Sequence, residues 1–525
     1  MNRNFALSSV AALALLSACG NAGEATTQAN RSEAGSENRI EAAAMVEPQA
    51  VGEADLKVAV SDERVRQFYQ NRNWAPAWTS ATAPGLVEAL RGAGRHGLDP
   101  GEFIASVEQA SGPAAREAAL TGAALELADA LADGRANPND LFTIYTLPRP
   151  NFDLVGGLSQ AVTQGRAGEW IESLAPSDAE YRALSQAYLR YAKRAAGSEG
   201  STIGSGELIR EGDSDPRVQQ IAQVLRSNGY LGQGEGRRDP GTQQRYNAEL
   251  AHAVEEMQQD FGITSDGVVG PETLAVLNTG AEERSRLLAV NMERRRWLER
   301  NRPDTRVDVN IAAAALDYYL NGEHRDRRVV VVGQPGWETP QLASPIYRLV
   351  ANPTWTVPKS IEEEEIQPRG PGYLRRNNMV RRDGWVVQLP GPENALGVVK
   401  FDMKNEHAIY LHDTAAEQLF DRNQRHLSHG CIRVENAPEF ARMLAREAGV
   451  SGEFNQARAS GEETFVDLPQ NIPVRLLYHT AFVEPSGEVR FRTDPYGWDD
   501  RVAEALGYEP RQSPTLQTHI SAVGP

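Results

Sequence analysis

The chain has 525 residues, two cysteines and a formal net charge of −17, and at about 150 residues per domain that length predicts three or four domains. The acidic balance excludes a general nucleic-acid binder, which needs basic surface to offset phosphate charge. Two cysteines exclude a disulfide-dense scaffold and a four-cysteine zinc site, and the two, Cys19 and Cys431, sit in very different surroundings.

The N-terminus reads MNRNFALSSVAALALLSACGN. Its apolar run, Phe5 to Leu16, is shorter than the ~20 residues that span a bilayer and fits the central region of a secretory signal. The run ends in Leu16-Ser17-Ala18-Cys19, which resembles a bacterial lipobox. That resemblance implies a signal peptide over 1–18 and lipidation of Cys19 as the mature N-terminus. It also implies a periplasmic protein with a membrane partner, Gly20 pointing to the outer membrane. Residues 20–56 hold no Phe, Trp or Tyr and cannot bury enough apolar surface to order themselves. Residues 19–56 are therefore expected to be the lipidated cysteine and a disordered tether.

Residues 57–196 are predicted to form a helical scaffold domain. In AREAALTGAALELADALADG, Leu125, Leu127, Ala130 and Leu131 recur at helical spacing, Gly134 is a candidate C-cap and Pro138 lies beyond. No catalytic constellation occurs there. The Gly/Ser-rich stretch Ala195 to Leu208 reads as a linker. Over 207–280, stripes of Val218, Ile221, Ala222 and Leu225, then Leu250, Val254, Met257 and Phe261, with Pro271 opening a third helix, predict a small three-helix bundle. RVQQIAQVLRSNGYL and DGVVGPETLAVLN resemble the common peptidoglycan-binding domain. A connecting helix is expected over 281–303, its arginines solvated or ion-paired. From 304 the pattern turns β-rich. RVDVNIA and RRVVVVG read as strands, and a hairpin is expected around Pro485-Ser486-Gly487. This β-rich domain is expected over 304–495, with a C-terminal tail over 496–525. Glu362 to Glu365 reads as a solvated charge run without a chemical role.

The segment HAIYLHDTAAEQLFDRNQRHLSHGCIRVENA holds Cys431 and four of the nine histidines, His407, His412, His426 and His429. A cysteine nucleophile needs a base and donors for an oxyanion, and a nearby imidazolium lowers its pKa. Gly430 permits unusual backbone geometry beside the thiol. AIYLHD alternates as a strand that would present His412, nineteen residues before Cys431. His407 reads as a strand-edge residue and His426 as a loop residue.

IYLHDT followed by SHGCIRV, with sixteen residues from His412 to Ser428, resembles the L,D-transpeptidase catalytic signature. NPTWTVPKSI, NALGVVKFDM, YHTAFVEPSGEVRFRTDPYG and RSRLLAVNMERRRWL are similar to the large multi-domain Gram-negative branch of that family. The resemblance runs from about Asp62 to Gly497, with small departures at Thr354, Thr356 and His479. It implies a multi-domain fold: a helical scaffold, a three-helix peptidoglycan-binding-like bundle, and a β-rich catalytic domain with a lid over about 367–396. It implies that Cys431 is the nucleophile, His412 its base, and the Asp413 carbonyl the group that orients His412. Amides of Gly430 and Cys431 would hold the oxyanion, Ser428, His429 and Arg433 would shape the site, and Tyr410 and Trp355 would wall it. Lid arginines (Arg369, Arg375, Arg376, Arg381, Arg382) would suit an acidic stem peptide. No cofactor and no metal are implied. The implied partners are peptidoglycan stem peptides, as donor and acceptor of a 3→3 cross-link with release of D-alanine, and carbapenems as covalent inhibitors. Other readings are an L,D-carboxypeptidase that only trims stems, a zinc peptidase using His426, His429 and Cys431, and a non-catalytic wall-binding lipoprotein.

Overall fold

The computed structural model describes residues 51–196, 202–232, 245–370 and 372–509. The expected signal peptide, Cys19, nearly all of the tether and residues 510–525 of the expected tail lie outside these described residues.

The scaffold starts earlier than its composition suggests. Helix α1 (Glu53–Ala59) falls partly in the stretch expected to be tether, because Leu56 is fully buried. Helix α2 (Pro113–Asp133) begins with a proline in its first turn and buries Ala and Leu residues around most of its circumference. That makes it the centre of the domain, since a helix apolar on all sides needs neighbours on all sides. Helix α3 (Ala179–Ala195) is capped by Asp178, whose carboxylate accepts from the amides of Glu180 and Tyr181.

The bundle consists of α4 (Val218–Asn228), α5 (Ala248–Phe261) and α6 (Pro271–Leu277). Asn247 caps α5 through the Leu250 amide, and Gly262 ends it in the left-handed region. Buried Gln258 accepts from the amides of Asp266 and Gly267 and donates to the Val268 carbonyl and Thr273 Oγ1. One satisfied amide thus holds the DGVVG turn against α5. Scaffold and bundle share one apolar core. The linker stretch joins it too, since Ile203 is buried and exchanges two hydrogen bonds with the Asn278 side chain.

Helix α7 (Ala281–Arg296) resolves the choice left open for its arginines. They are buried, Arg295 half-buried, and all are partnered. Arg284 lies over the rings of Phe261 and Phe491 at 5.1 and 5.2 Å. Arg286 meets Glu283 and Asp500, Arg294 meets Asp499, Arg295 meets Asp178 and Glu180, and Arg296 meets Glu293 and the Tyr181 hydroxyl. Glu283 and Glu293 lie on α7 itself, but Asp178 and Glu180 come from the scaffold and Asp499 and Asp500 from the chain's C-terminal end, so α7 ties these parts together by charge.

The last domain is a mixed sheet of β1 (Arg306–Asn310), β2 (Ala315–Leu320), β3 (Glu323–Gly333), β4 (Ile346–Ala351), β8 (Val399–Met403), β9 (Leu411–His412), β11 (Ile432–Val434), β12 (Thr464–Ile472) and β13 (Val474–Leu477), with β10 (His426–Ser428) beside β3. Its order is β12-β4-β8-β9-β11-β3-β2-β1-β13. Strands β5 (Trp355–Thr356), β6 (Met379–Arg382) and β7 (Trp385–Gln388) form a separate small sheet in the order β5-β7-β6. This lid has its own core of Trp355, Val357, Ile361, Ile366, Met379, Val386 and Leu396, so it begins about a dozen residues before the expected position 367. The expected hairpin is β14 (Ala481–Val483) with β15 (Val489–Phe491).

The segment expected as a tail from 496 instead enters the core of the large sheet. Tyr496 and Trp498 are buried, and helix α8 (Trp498–Ala505) buries Val502 and Ala503 completely. Aromatic residues in a short C-terminal stretch need a surface to cover, and the sheet supplies it.

Candidate active site

Cys431 and His412 arrive on neighbouring strands. Strands β9 and β11 are parallel, with Ile432 opposite Leu411 and Arg433 opposite His412. The strand around His412 is only two residues long, not the longer AIYLHD strand expected. His407 is an exposed turn residue whose amide donates to Asn405 Oδ1.

His412 is fully buried. Its Nδ1 lies 2.5 Å from the Asp413 carbonyl oxygen, and its Nε2 has no hydrogen-bond partner among the described residues. Burial, then the positive charges of Arg433 and Lys400, hold the imidazole well below its usual pKa. The Asp413 side chain accepts from the Val398 amide at 2.8 Å, which anchors the residue carrying the orienting carbonyl.

Cys431 is buried. Its thiol faces the Ala408 carbonyl at 3.6 Å, and burial pushes its pKa up to about 11. The amide and the hydroxyl of Tyr410, with Lys400 and Arg433, act against that shift by favouring the thiolate. The Tyr410 ring lies 5.7 Å from that of His412, and Lys400 Nζ sits 4.2 Å from the Tyr410 ring centre. Lys400 also pairs with Asp402 at 2.7 Å. Both shifts favour the neutral thiol and the neutral imidazole.

The turn before Cys431 is built by named contacts. Gly430 has φ 108°, a conformation that strains any L side chain. Ser428 Oγ donates to the Cys431 carbonyl at 2.6 Å and accepts from the Gly430 amide at 3.2 Å. Of the two amides expected at the oxyanion, only that of Cys431 is without an acceptor among the described residues. The Gly430 carbonyl accepts from Thr339 Oγ1 at 2.8 Å, which accepts from the Gly333 amide at 2.8 Å, and Tyr496 Oη donates to the Gly333 carbonyl at 2.6 Å. The segment expected as tail thus braces the turn before Cys431. Arg433 is buried, and desolvation brings its pKa down to about 10.

Other expected residues fall differently. Trp355 is 1% exposed within the lid core, with Tyr410 packed against that core. It seats the lid and does not offer a wall to a ligand. His426 Nε2 bonds the Ile311 carbonyl at 2.9 Å and its ring meets Tyr496. His429 Nε2 lies 2.7 Å from Glu365 Oε1. The zinc set of His426, His429 and Cys431 is not assembled, and no group of three potential ligands converges among the described residues.

The acidic run is not merely solvated. Glu362 is buried and meets Lys359 at 2.7 Å and Arg381 at 2.8 Å, so Arg381 serves the lid itself. Sequence reasoning misses Lys400, Ala408, Glu365, Trp337, Thr339 and Tyr496. No local signal marks them, because they reach the site through several strands and loops far apart in sequence.

Residues 304–452 match the YkuD family, the L,D-transpeptidase catalytic domain. This part of the chain is similar to an L,D-transpeptidase catalytic domain. Residues 63–189 match a model described as a scaffold domain, and 214–277 match the PG_binding_1 family, a candidate peptidoglycan binding domain. A candidate L,D-transpeptidase of Haemophilus influenzae is 32% identical over 241 residues, covering 41% of this chain and 48% of that protein. The matched stretch thus spans about half of that relative. Among solved structures, an L,D-transpeptidase from Stackebrandtia nassauensis is 15% identical, covering 53% of this chain and 97% of its own, with TM-score 0.23. One from Mycobacterium smegmatis is 13% identical, covering 33% and 58%, with TM-score 0.20. At such TM-scores neither superposition bears on fold or activity. The matched region holds Cys431 and His412 on adjoining elements, beside the small sheet with its own core.

Proposed function

We propose that the protein forms 3→3 cross-links in peptidoglycan through a thioester on Cys431. The observation that carries this reading is His412. Its Nδ1 is held by the Asp413 carbonyl, and its bare Nε2 is on the strand beside the one that delivers the thiol.

In this mechanism Nε2 takes the thiol proton as Sγ attacks the carbonyl of the third residue of a tetrapeptide stem. Arg433, Lys400 and the Tyr410 hydroxyl stabilise the developing thiolate. The Cys431 amide stabilises the tetrahedral oxyanion, because a fixed donor in a buried site needs no reorganisation. The C–N bond to the fourth residue breaks, His412 gives its proton to the leaving amine, and D-alanine departs. The side-chain amine of a second stem then attacks the thioester, His412 takes a proton from it, and the thiol is restored. Burial of the site under the lid limits attack by water, which would yield the trimmed stem of an L,D-carboxypeptidase. A carbapenem would acylate the same sulfur.

The same reading makes the protein a periplasmic lipoprotein held at the outer membrane through Cys19, with the bundle as a wall contact. Metabolic labelling with a fatty acid, lost in Cys19→Ala, tests the anchor.

Mass spectrometry of the purified protein with a disaccharide-tetrapeptide tests the chemistry. Wild type should release D-alanine and make cross-linked dimers, and Cys431→Ala should make none. Dimers from the mutant would refute the mechanism. Tripeptide monomer alone from wild type would make it a carboxypeptidase.

A further inference from the structure

Glu365 belongs to a run of four glutamates that looks like a solvated surface, yet its side chain is 13% exposed and stands 2.7 Å from a His429 side chain that is 6% exposed. The two come from different bodies. Glu365 lies on the π-turn Glu362–Ile366, within the lid. His429 stands between Ser428 and Gly430, in the turn that ends at Cys431.

The lid can transmit position because it is internally tied. Ile361 and Ile366, on either side of the glutamates, are plugged into its core. Glu362 holds Lys359 and Arg381, and Gln388 Nε2 donates to the carbonyls of Asn377 and Glu393. Its fourth carboxylate is thus carried on a braced element. On its other side His429 meets the Trp337 ring edge-on, with centroids 5.0 Å apart, so the imidazole is held between a loop of the sheet and the lid. The turn beyond it takes a backbone conformation suited to glycine, with Gly430 at φ 108°, and side-chain contacts from Ser428 and Thr339 hold its shape.

We infer that Glu365 is a positioning residue, whose grip on His429 couples the seating of the lid to the geometry of the Gly430–Cys431 turn. A lid that is out of place releases His429, and the thiol and the Cys431 amide lose their alignment. The lid then does more than cover the cleft, because its arrival completes the nucleophile. This inference rests on the reading of Cys431 as nucleophile.

A double-mutant cycle tests it. Glu365→Ala and His429→Ala should each slow thioester formation with disaccharide-tetrapeptide, read by intact mass, about tenfold. The double mutant should be slowed no further than either single mutant, because both remove the same contact. Glu365→Gln, whose side-chain oxygen still accepts a hydrogen bond, should stay within about threefold of wild type. A wild-type rate in Glu365→Ala, or a double mutant slowed by the product of the single effects, would overturn the proposal. Alkylation of Cys431 by iodoacetamide needs no substrate and provides the separate arm. Its rate should change in Glu365→Ala and return in Glu365→Gln, with unchanged melting temperatures. An unchanged rate would overturn the positioning role. A changed rate in a protein whose wild type forms no thioester would keep that role and reject the transpeptidase reading.

Discussion

The Nδ1 of His412 lies 2.5 Å from the carbonyl oxygen of Asp413. A carbonyl only accepts, so Nδ1 carries the hydrogen and Nε2 presents a bare lone pair. The backbone of the next residue therefore sets the tautomer, where a carboxylate often does so in other cysteine and serine sites.

That arrangement predicts the pH dependence of the thiol. The Cys431 pKa is pushed up to about 11 and the imidazole is held well below its usual range. Alkylation of the free protein by iodoacetamide should therefore rise roughly tenfold per pH unit from neutrality towards pH 10, following the thiolate fraction. A plateau below pH 8 would reveal a thiolate–imidazolium pair instead.

Tyr410→Phe removes a hydroxyl that favours the thiolate. A hydrogen bond to a charged group is worth about 1.5–3 kcal/mol, so thioester formation should slow ~10-fold or more. The melting temperature should hardly move, which separates this effect from unfolding.

Gly397→Ala should damage the site from a distance. Gly397 has φ 61°, and a Cβ there would overlap the Asp413 carboxylate. Asp413 would shift, and with it the carbonyl that holds His412. By contrast, a Cβ at Gly430 meets nothing closer than 3.6 Å. Gly430→Ala therefore costs backbone strain alone, about 1–3 kcal/mol. Kinetics with melting curves should show Gly397→Ala losing both activity and stability, beyond any loss of stability in Gly430→Ala.

Arg294→Met should test the charged strut. Asp499 is fully buried against Arg294, and leaving it alone should cost ~3–5 kcal/mol. Arg294→Met with Asp499→Leu removes both charges and should recover part of that loss. Chemical denaturation of the three proteins checks the order.

His426 should make the fold acid-sensitive. Burial lowers its pKa to about 4 in the folded state, against about 6.5 unfolded. Between these values the unfolded chain binds more protons, so stability falls as pH falls from 6.5 to 4, by about 3 kcal/mol in all. His426→Gln can keep a donor to the Ile311 carbonyl without titrating. Its melting temperature relative to wild type should rise progressively from pH 7 to pH 4.

Much of the domain order was legible because it rests on periodicity over ten or more residues. The stripe Val218, Ile221, Ala222 and Leu225 is buried on α4 as its spacing demands, and Pro271 opens α6. The SHGC run and its upstream histidine were legible as a local motif. The fate of α7 was not, because its five arginines read alike whether they face water or buried partners such as Asp499, 205 residues from Arg294. Residues 496–505 read as tail because nothing nearby in sequence shows the sheet that Tyr496 and Trp498 cover.

By itself the sequence determined which groups could do chemistry: one thiol beside a conformationally free glycine, one histidine upstream, and helices and strands whose periods do not depend on neighbours. Tertiary structure alone decided which groups meet them. Lys400 and Tyr410 act on Cys431, Glu365 meets His429, and the Tyr496–Gly333–Thr339 brace meets Gly430, all from separate elements. Burial there moves the thiol up and the imidazole down. Desolvation and charge act through space, and one-dimensional spacing does not encode either.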